Sequence, residues 1–449
     1  MNISNQKFFI TTGCSYGRSI DALHNFVNLG VLKKNGIDLK EVSAYDGTDN
    51  VVFINASAPS QGSDYQADSI IYVVSKLLEL GASPNNLYCM VEWSEIGRIS
   101  LPITKGMGID ADFVNWERWK GDTFQGIYHF SKEVPNKLGK ITQGFTTNSL
   151  LVEYLSDNIN ISCGEGSESF SKIEDTHYIS VNTWDFNSLK GDNMFKIMCE
   201  EYSNAVDNLP HEFYVRRYVD NIVKTQTFLK THNIKYNFCQ IYSQFSGWYE
   251  FPNTEIRQFH IHDSNKWFEN ISLLKERFPN NKSKEIDEVF PNLKPIYQLI
   301  DWDNFWFHRD KTGVFAKGGI DEWCIDTYGE SAYGGDFIEC LTQALNTDNY
   351  TPWPVHSGIT GHPNYMFYWL LFNKIVTNCD FFSINEKVLK KVEKIQEIDS
   401  KSNEYSESLI FTSEKYTKQL LKKEVSNENY KQFIQKNVQN LQSNRNIRK

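Results

Sequence analysis

At 449 residues the chain can bury a sizeable core, and its length fits two or three domains or one α/β domain with large insertions. Aromatic residues make up 14% of it, which excludes a wholly disordered chain, and a net charge of −10 at pH 7 argues against a nucleic-acid binder held by phosphate contacts. No apolar run reaches the roughly 20 residues of a membrane span. The start "MNISNQKFF" lacks the charged beginning and apolar stretch of a secretory signal, so the expectation is a soluble product made in the cytoplasm with no membrane partner.

The first hundred residues alternate strand and helix. Phe8 to Thr12 is an apolar, β-prone run that stops at Gly13, and "NVVFINAS" (Asn50 to Ser57) is a second strand. Asp64 to Ala82 follows as an amphipathic helix, with Ile70, Val73, Val74, Leu77 and Leu78 at helical spacing and Gly81 as its stop. "NLYCMVEW" (Asn86 to Trp93) is the third strand. This rhythm implies right-handed βαβ units and a parallel sheet.

Residues 100 to 190, rich in Gly, Asn, Ser and aromatics, show only short helical patterns and read as an inserted cap or lid. A long helical pattern resumes from Asn193 to Lys230 and runs into a core strand over Ile234 to Phe245. Residues 246 to 355 form a second irregular region containing "IDWDNFWFH", whose aromatics read as core rather than as a sugar-stacking platform. Asn364 to Asn378 is the last strongly apolar helix. Residues 384 to 449 carry 14 Lys and Arg against 9 Asp and Glu, behind an acidic body. Apolar residues recur there at helical spacing (Val388, Val392, Ile395; Leu420, Leu421, Val425), which suits either a helical tail packed on its own body or an arm docking onto another subunit.

Ligands of an open parallel sheet bind beyond the carboxyl ends of its strands. The first strand there gives "GCSYG" with Ser15, the second "NASAPSQGS" with Asn55, Gly62 and Ser63, and the third "EWSEIGR" with Trp93, Ser94, Glu95 and Arg98. Near the C-terminal helix, "GITGHPN" places His362 before Pro363. A serine needs a base to become nucleophilic and backbone donors for the oxyanion it generates. Ser15 with His362, and the amides of Ser15 and Gly62, suit those roles; a turn serine and a helix-capping histidine are the plain alternatives. Arg98 suits a substrate carboxylate or an ion pair with Glu92 or Glu95, and His356 reads as a surface residue.

"GCSYG", "VEWSEIGRIS", "IDWDNFWFH" and "GHPNYMFYW", in this order, resemble the SGNH (GDSL-like) hydrolases, and more narrowly the divergent SGNH-like proteins encoded by tailed bacteriophages. The resemblance lies in scattered blocks over residues 7 to 100 and 300 to 378. It implies a three-layer α/β/α sandwich with a central parallel sheet of flavodoxin-like order. Ser15 matches the family nucleophile, His362 its base and Gly62 its oxyanion glycine. Where the family has an oxyanion asparagine this chain has Trp93-Ser94-Glu95, so the Ser94 hydroxyl is the available substitute. The acid that precedes the family histidine is replaced by Ile359 and Thr360, leaving Asp326 and Asp336 as nearby carboxylates.

The expected organisation is an SGNH-like domain over 1–383, with insertions at about 100–190 and 246–355, and a helical tail over 384–449. The expected activity is ester hydrolysis without a cofactor, on an ester or acylated glycan, with Trp93 and Arg98 as substrate contacts. The competing expectation is a non-catalytic virion component whose tail docks onto other subunits. The eight cysteines form no CxxC pair and read as reduced, mostly buried residues. "HIHD" places His260 and His262 on one strand face but has no companion ligands at recognisable spacing, so no metal is expected. No nucleotide-binding glycine pattern occurs.

Overall fold

Apolar runs without alternation belong to strands buried on both faces, and the three N-terminal strands are of that kind. The computed structural model describes residues 1–14, 51–58, 61–104, 127–130, 145–146, 150–163, 170–174, 176–180, 210–250, 258–260, 282–309, 314–323, 375–376 and 379. Strands β1 (Lys7–Thr12), β2 (Val51–Asn55) and β3 (Leu87–Trp93) are joined by β10 (Lys235–Gln240) in one parallel sheet of order β10-β3-β1-β2. Every residue of β2 and β3 is buried. An α/β fold with a four-stranded parallel sheet therefore stands. Beyond β10, Phe305 makes a single parallel bridge to Phe238, and the Trp306 N–H donates to the Phe238 carbonyl at 2.7 Å.

Helix α1 (Ser63–Glu79) crosses from β2 to β3. Its buried stripe of Ile70, Val73, Val74 and Leu77 packs with Ile10, Ile54, Cys89 and Val91 from one sheet face. The helix ends in a Schellman turn: the Gly81 N–H donates to the Leu78 carbonyl and the Ala82 N–H to the Leu77 carbonyl, with Gly81 at φ 91°. The second long helix, α3 (His211–Thr231), closes in the same way with Asn233 at φ 56°. Of the helical pattern expected over Asn193 to Lys230, residues 193–209 lie outside the described residues; Pro210 is extended (φ −65°, ψ 149°), and α3 starts directly after it. Tyr218, Val219 and Ile222 bring α3 into the same core as Trp93 and Phe238.

The stretch 100–190 holds more sheet than its short helical patterns suggest. Strands β5 (Ile127–Phe130) and β6 (Phe145–Thr146) extend the main sheet antiparallel beyond β2. Strands β4 (Ser100–Thr104), β7 (Ile161–Cys163), β8 (Phe170–Ile173) and β9 (Thr176–Ser180) form a separate antiparallel sheet of order β4-β9-β8-β7, and α2 (Leu150–Asn158) precedes β7. These strands are two to five residues long, too short for alternation to register, and the β8–β9 turn places Glu174, not glycine, at φ 53°.

In the second irregular region, β11 (Ser246–Glu250) pairs with β12 (Gln258–His260) and β13 (Lys284–Glu285), followed by the short helices α4 (Ile286–Val289) and α5 (Lys294–Tyr297). Phe245 meets Tyr297, Trp302 and Phe305 at ring-centroid distances of 5.8, 5.1 and 5.5 Å, so the aromatic segment is core. No helix among the described residues is long and apolar enough to cross a membrane.

Candidate functional site

With β2 on one side of β1 and β3 on the other, the β1/β3 boundary is the switch point of the strand order, and sheets of this kind bind ligands beyond the carboxyl ends of their strands at that point. Two contacts show that α1 lies over this edge. The Ser69 and Thr12 hydroxyls are 2.8 Å apart, and one turn earlier Gln66 Oε1 accepts the Ser94 N–H at 3.2 Å. The β2 loop runs beside the β1 loop, with the Ala56 N–H donating to the Thr11 carbonyl and the Ala58 N–H to the Gly13 carbonyl.

Between the ends of β1 and β3, the Cys14 thiol donates to Glu92 Oε1 at 3.6 Å. Glu92 is fully buried near the end of β3, and Cys239 faces it in register from β10. Burial first, then the neighbouring Glu92 and Cys14, push the Cys239 thiol well up, so it stays neutral. Burial and the Asp321 and Glu95 carboxylates likewise hold the Tyr242 phenol well above its ordinary range, against the pull of Arg98. Cys14, Glu92, Glu95, Arg98, Tyr242 and Asp321 thus share one electrostatic neighbourhood at the ends of β1, β3 and β10.

Arg98 forms a two-pronged pair with Glu95, Nε to Oε2 and Nη2 to Oε1, both at 3.1 Å. Burial opposes its charge most strongly, yet Glu95, Cys14 and Tyr242 together leave the guanidinium above its usual value. The 95–100 segment is tied down from below. Arg217 of α3 bonds the Asp64 carboxylate and donates to the Arg98 carbonyl at 2.6 Å, while Asp64 accepts the Ser100 N–H at 3.1 Å. The 314–323 segment is fixed to the end of β10, with Glu322 accepting the Ser243 and Gly319 N–H groups and the Lys317 carbonyl accepting Gln240 Nε2 and Ser243 Oγ.

The residues singled out from sequence separate clearly. Ser15, His362, Asp326, Asp336 and the 384–449 tail lie outside the described residues, as does His262. Gly62, Ser94 and Arg98 come together on the β2 and β3 loops. The Gly62 N–H donates to Ser100 Oγ at 2.7 Å, and Ser100 Oγ in turn donates to Gln61 Oε1 at 2.7 Å. Trp93 is fully buried, edge-on to Tyr218 and Phe238 at 6.2 and 5.4 Å. Ser94 is 1% exposed and its hydroxyl has no hydrogen-bond partner. His260 pairs with Trp248 in the β11–β12 ladder.

Sequence reasoning passed over Gln66, Tyr242 and Asp321, took Cys14 only as a buried thiol, and named Glu92 only as a candidate ion-pair partner for Arg98, which pairs with Glu95 instead. Only Glu92 leaves a signal, as a lone charge inside a strand otherwise apolar enough to be buried on both faces. No family model, curated protein or solved structure matches this chain.

Proposed function

We propose that the chain is an SGNH-type serine ester hydrolase acting on an ester or acylated glycan, its α/β sheet being the centre of a flavodoxin-like three-layer sandwich. The observation that carries this reading is the strand order β2-β1-β3-β10, at whose switch point β1 runs out into Gly13 and Cys14, directly before Ser15 in the sequence. In this reading Ser15 Oγ attacks the acyl carbon and passes its proton to His362. The tetrahedral oxyanion collapses, the leaving alcohol takes that proton, and water repeats the sequence to free the acid and regenerate Ser15. With the Gly62 N–H engaged by Ser100 Oγ, oxyanion donation falls to the Ser15 amide and to groups at the β3 edge.

A second reading, a non-catalytic virion component docking through residues 384–449, draws on the Arg98–Glu95 pair, closed on itself, and on the Ile359 and Thr360 positions that hold no acid. A fluorophosphonate probe and an activated acetyl ester separate the two. Labelling and turnover that vanish in Ser15→Ala and His362→Ala support the hydrolase. Folded wild-type protein that neither labels nor turns over leaves the structural reading in its place.

A further inference from the structure

The loop after β3 leaves an arginine only half used. Glu95 occupies one side of the Arg98 guanidinium, taking Nε and Nη2 at 3.1 Å each. Among the described residues nothing bonds Arg98 Nη1 or the second Nη2 hydrogen, so the far edge is a fork of open donors. Arg217 Nε also lacks a partner but is sealed inside, whereas Arg98 Nη1 is not. The side chains of Arg98 and Glu95 are 17% and 36% exposed, and a Cβ on the exposed Gly97 between them would meet nothing within 4 Å. A ligand can therefore reach this loop from solvent.

The fork stands on a fixed backbone. Arg217 donates to the Arg98 carbonyl at 2.6 Å, and Asp64 accepts the Ser100 N–H at 3.1 Å. Two further ties bring Tyr242 alongside. The Ile241 N–H donates to the Trp93 carbonyl at 3.1 Å, and Gln244 Oε1 accepts the Ile96 N–H at 2.9 Å, so the residues between 241 and 244 border the 95–98 loop. Tyr242 is itself partly exposed, and its phenol feels both Glu95 and Arg98.

Charge narrows the ligand. Glu95 already offsets Arg98, and Asp321 and the buried Glu92 add negative charge nearby, so an anion is repelled. A bare cation brings no acceptor for the open fork. A neutral polyol meets both needs, because each of its hydroxyls donates and accepts. One hydroxyl can donate to the half-exposed Glu95 carboxylate while adjacent oxygens accept from Arg98, and both contacts are charge-assisted. The C–H face of a sugar ring then has the Tyr242 ring to lie against.

We infer that Glu95, Arg98 and Tyr242 form a saccharide subsite that holds a neutral sugar by adjacent hydroxyls. The inference rests on the hydrolase reading above for its place in a reaction, where it favours the glycan part of an acylated glycan over a simple ester. Binding itself calls on no catalytic residue.

The test is titration of the full chain with neutral trisaccharides of glucose, galactose and N-acetylglucosamine, followed by saturation-transfer NMR. Wild type is expected to bind at least one of them. Arg98→Lys keeps the charge and the pairing with Glu95 but removes the fork, so affinity should fall about tenfold, the scale of one charge-assisted hydrogen bond, with an unchanged unfolding midpoint. Tyr242→Phe should stay within threefold of wild type. No binding of any of the three sugars by folded wild type overturns the inference, and so does an Arg98→Lys affinity within threefold of wild type. Fluorophosphonate labelling, which needs no sugar contact, keeps the two readings apart. Labelling without sugar binding removes the subsite and leaves the hydrolase, and Arg98-dependent sugar binding without labelling does the reverse.

Discussion

Replacing Gly62 by alanine puts two opposed effects on one atom. The backbone there (φ −90°, ψ −178°) is open to any residue, so alanine alone would stabilise the fold by about 0.4–1 kcal/mol through a less flexible unfolded chain. The new Cβ, however, would lie 2.2 Å from the Arg98 carbonyl oxygen and 2.7 Å from its carbon. Ordinary contact requires the 98–99 backbone to retreat by about 1 Å. That carbonyl is held by Arg217 at 2.6 Å, and Ser100 beyond it accepts the Gly62 N–H at 2.7 Å, so retreat strains two hydrogen bonds, one of them charged. Overpacking at about 1–3 kcal/mol plus part of a charged hydrogen bond at about 1.5–3 outweighs the entropic gain, for a net loss of about 2–4 kcal/mol. In urea, followed by tryptophan fluorescence, the midpoint should fall by about 1 M. A midpoint equal to or above wild type would show that the 95–100 segment is not clamped, and would refute the reasoning.

Trp93→Ala should cost about 3–5 kcal/mol as a core truncation, while Trp93→Phe should cost under about 1.5, because it sheds an indole N–H that has no acceptor; denaturant titration distinguishes them. Cys89 and Cys239 are buried thiols pushed up by their surroundings, so in native protein at pH 8 they should resist a disulfide reagent that titrates them in urea; prompt native reaction of both would contradict their burial. The same raised thiols favour the fold below their unfolded value, near pH 8.5, and that contribution fades as pH rises beyond it. Asp301 behaves oppositely: burial works against its charge, but Lys230, Asn304 and Tyr236 outweigh it and hold the carboxyl below its usual value. Its stabilisation is present above about pH 4 and lost on acidification, so Asp301→Asn should flatten the acid side of the unfolding-midpoint profile.

Long, uniformly apolar elements were legible in the sequence because their signal is strong. Phe8 to Thr12, the 64–82 helix and the 86–93 strand lie within two or three residues of β1, α1 and β3, and parallel pairing follows from their rhythm. Helix α3 was legible as a helix but not in its start, since apolar spacing continues across Pro210, where the backbone is extended. The sheets of the 100–190 stretch were not legible, because strands of two to five residues acquire their identity from partners far along the chain, as β4 does from β9. At the candidate site the loops were visible from Gly62, Ser94 and Arg98. Gln66 was not, because on a helix it reads as an ordinary polar residue until its contact with Ser94 is known.

The polar groups at the β3 edge divide by charge. Charged groups, which cost most when stranded in a dry interior, each find a partner within the chain, though Arg217 Nε is itself left without one: Arg98 pairs with Glu95, Arg217 with Asp64, and Glu322 with the Ser243 and Gly319 amides. The neutral donors Gln66 Nε2 and Ser94 Oγ do not, and each open donor forgoes on the order of 1–3 kcal/mol. Replacing the Ser94 hydroxyl with a methyl-sized side chain removes one open donor from the interior. Ser94→Ala should therefore leave the unfolding midpoint level or higher in a denaturant titration. A midpoint below wild type would show that the hydroxyl is satisfied in the folded protein.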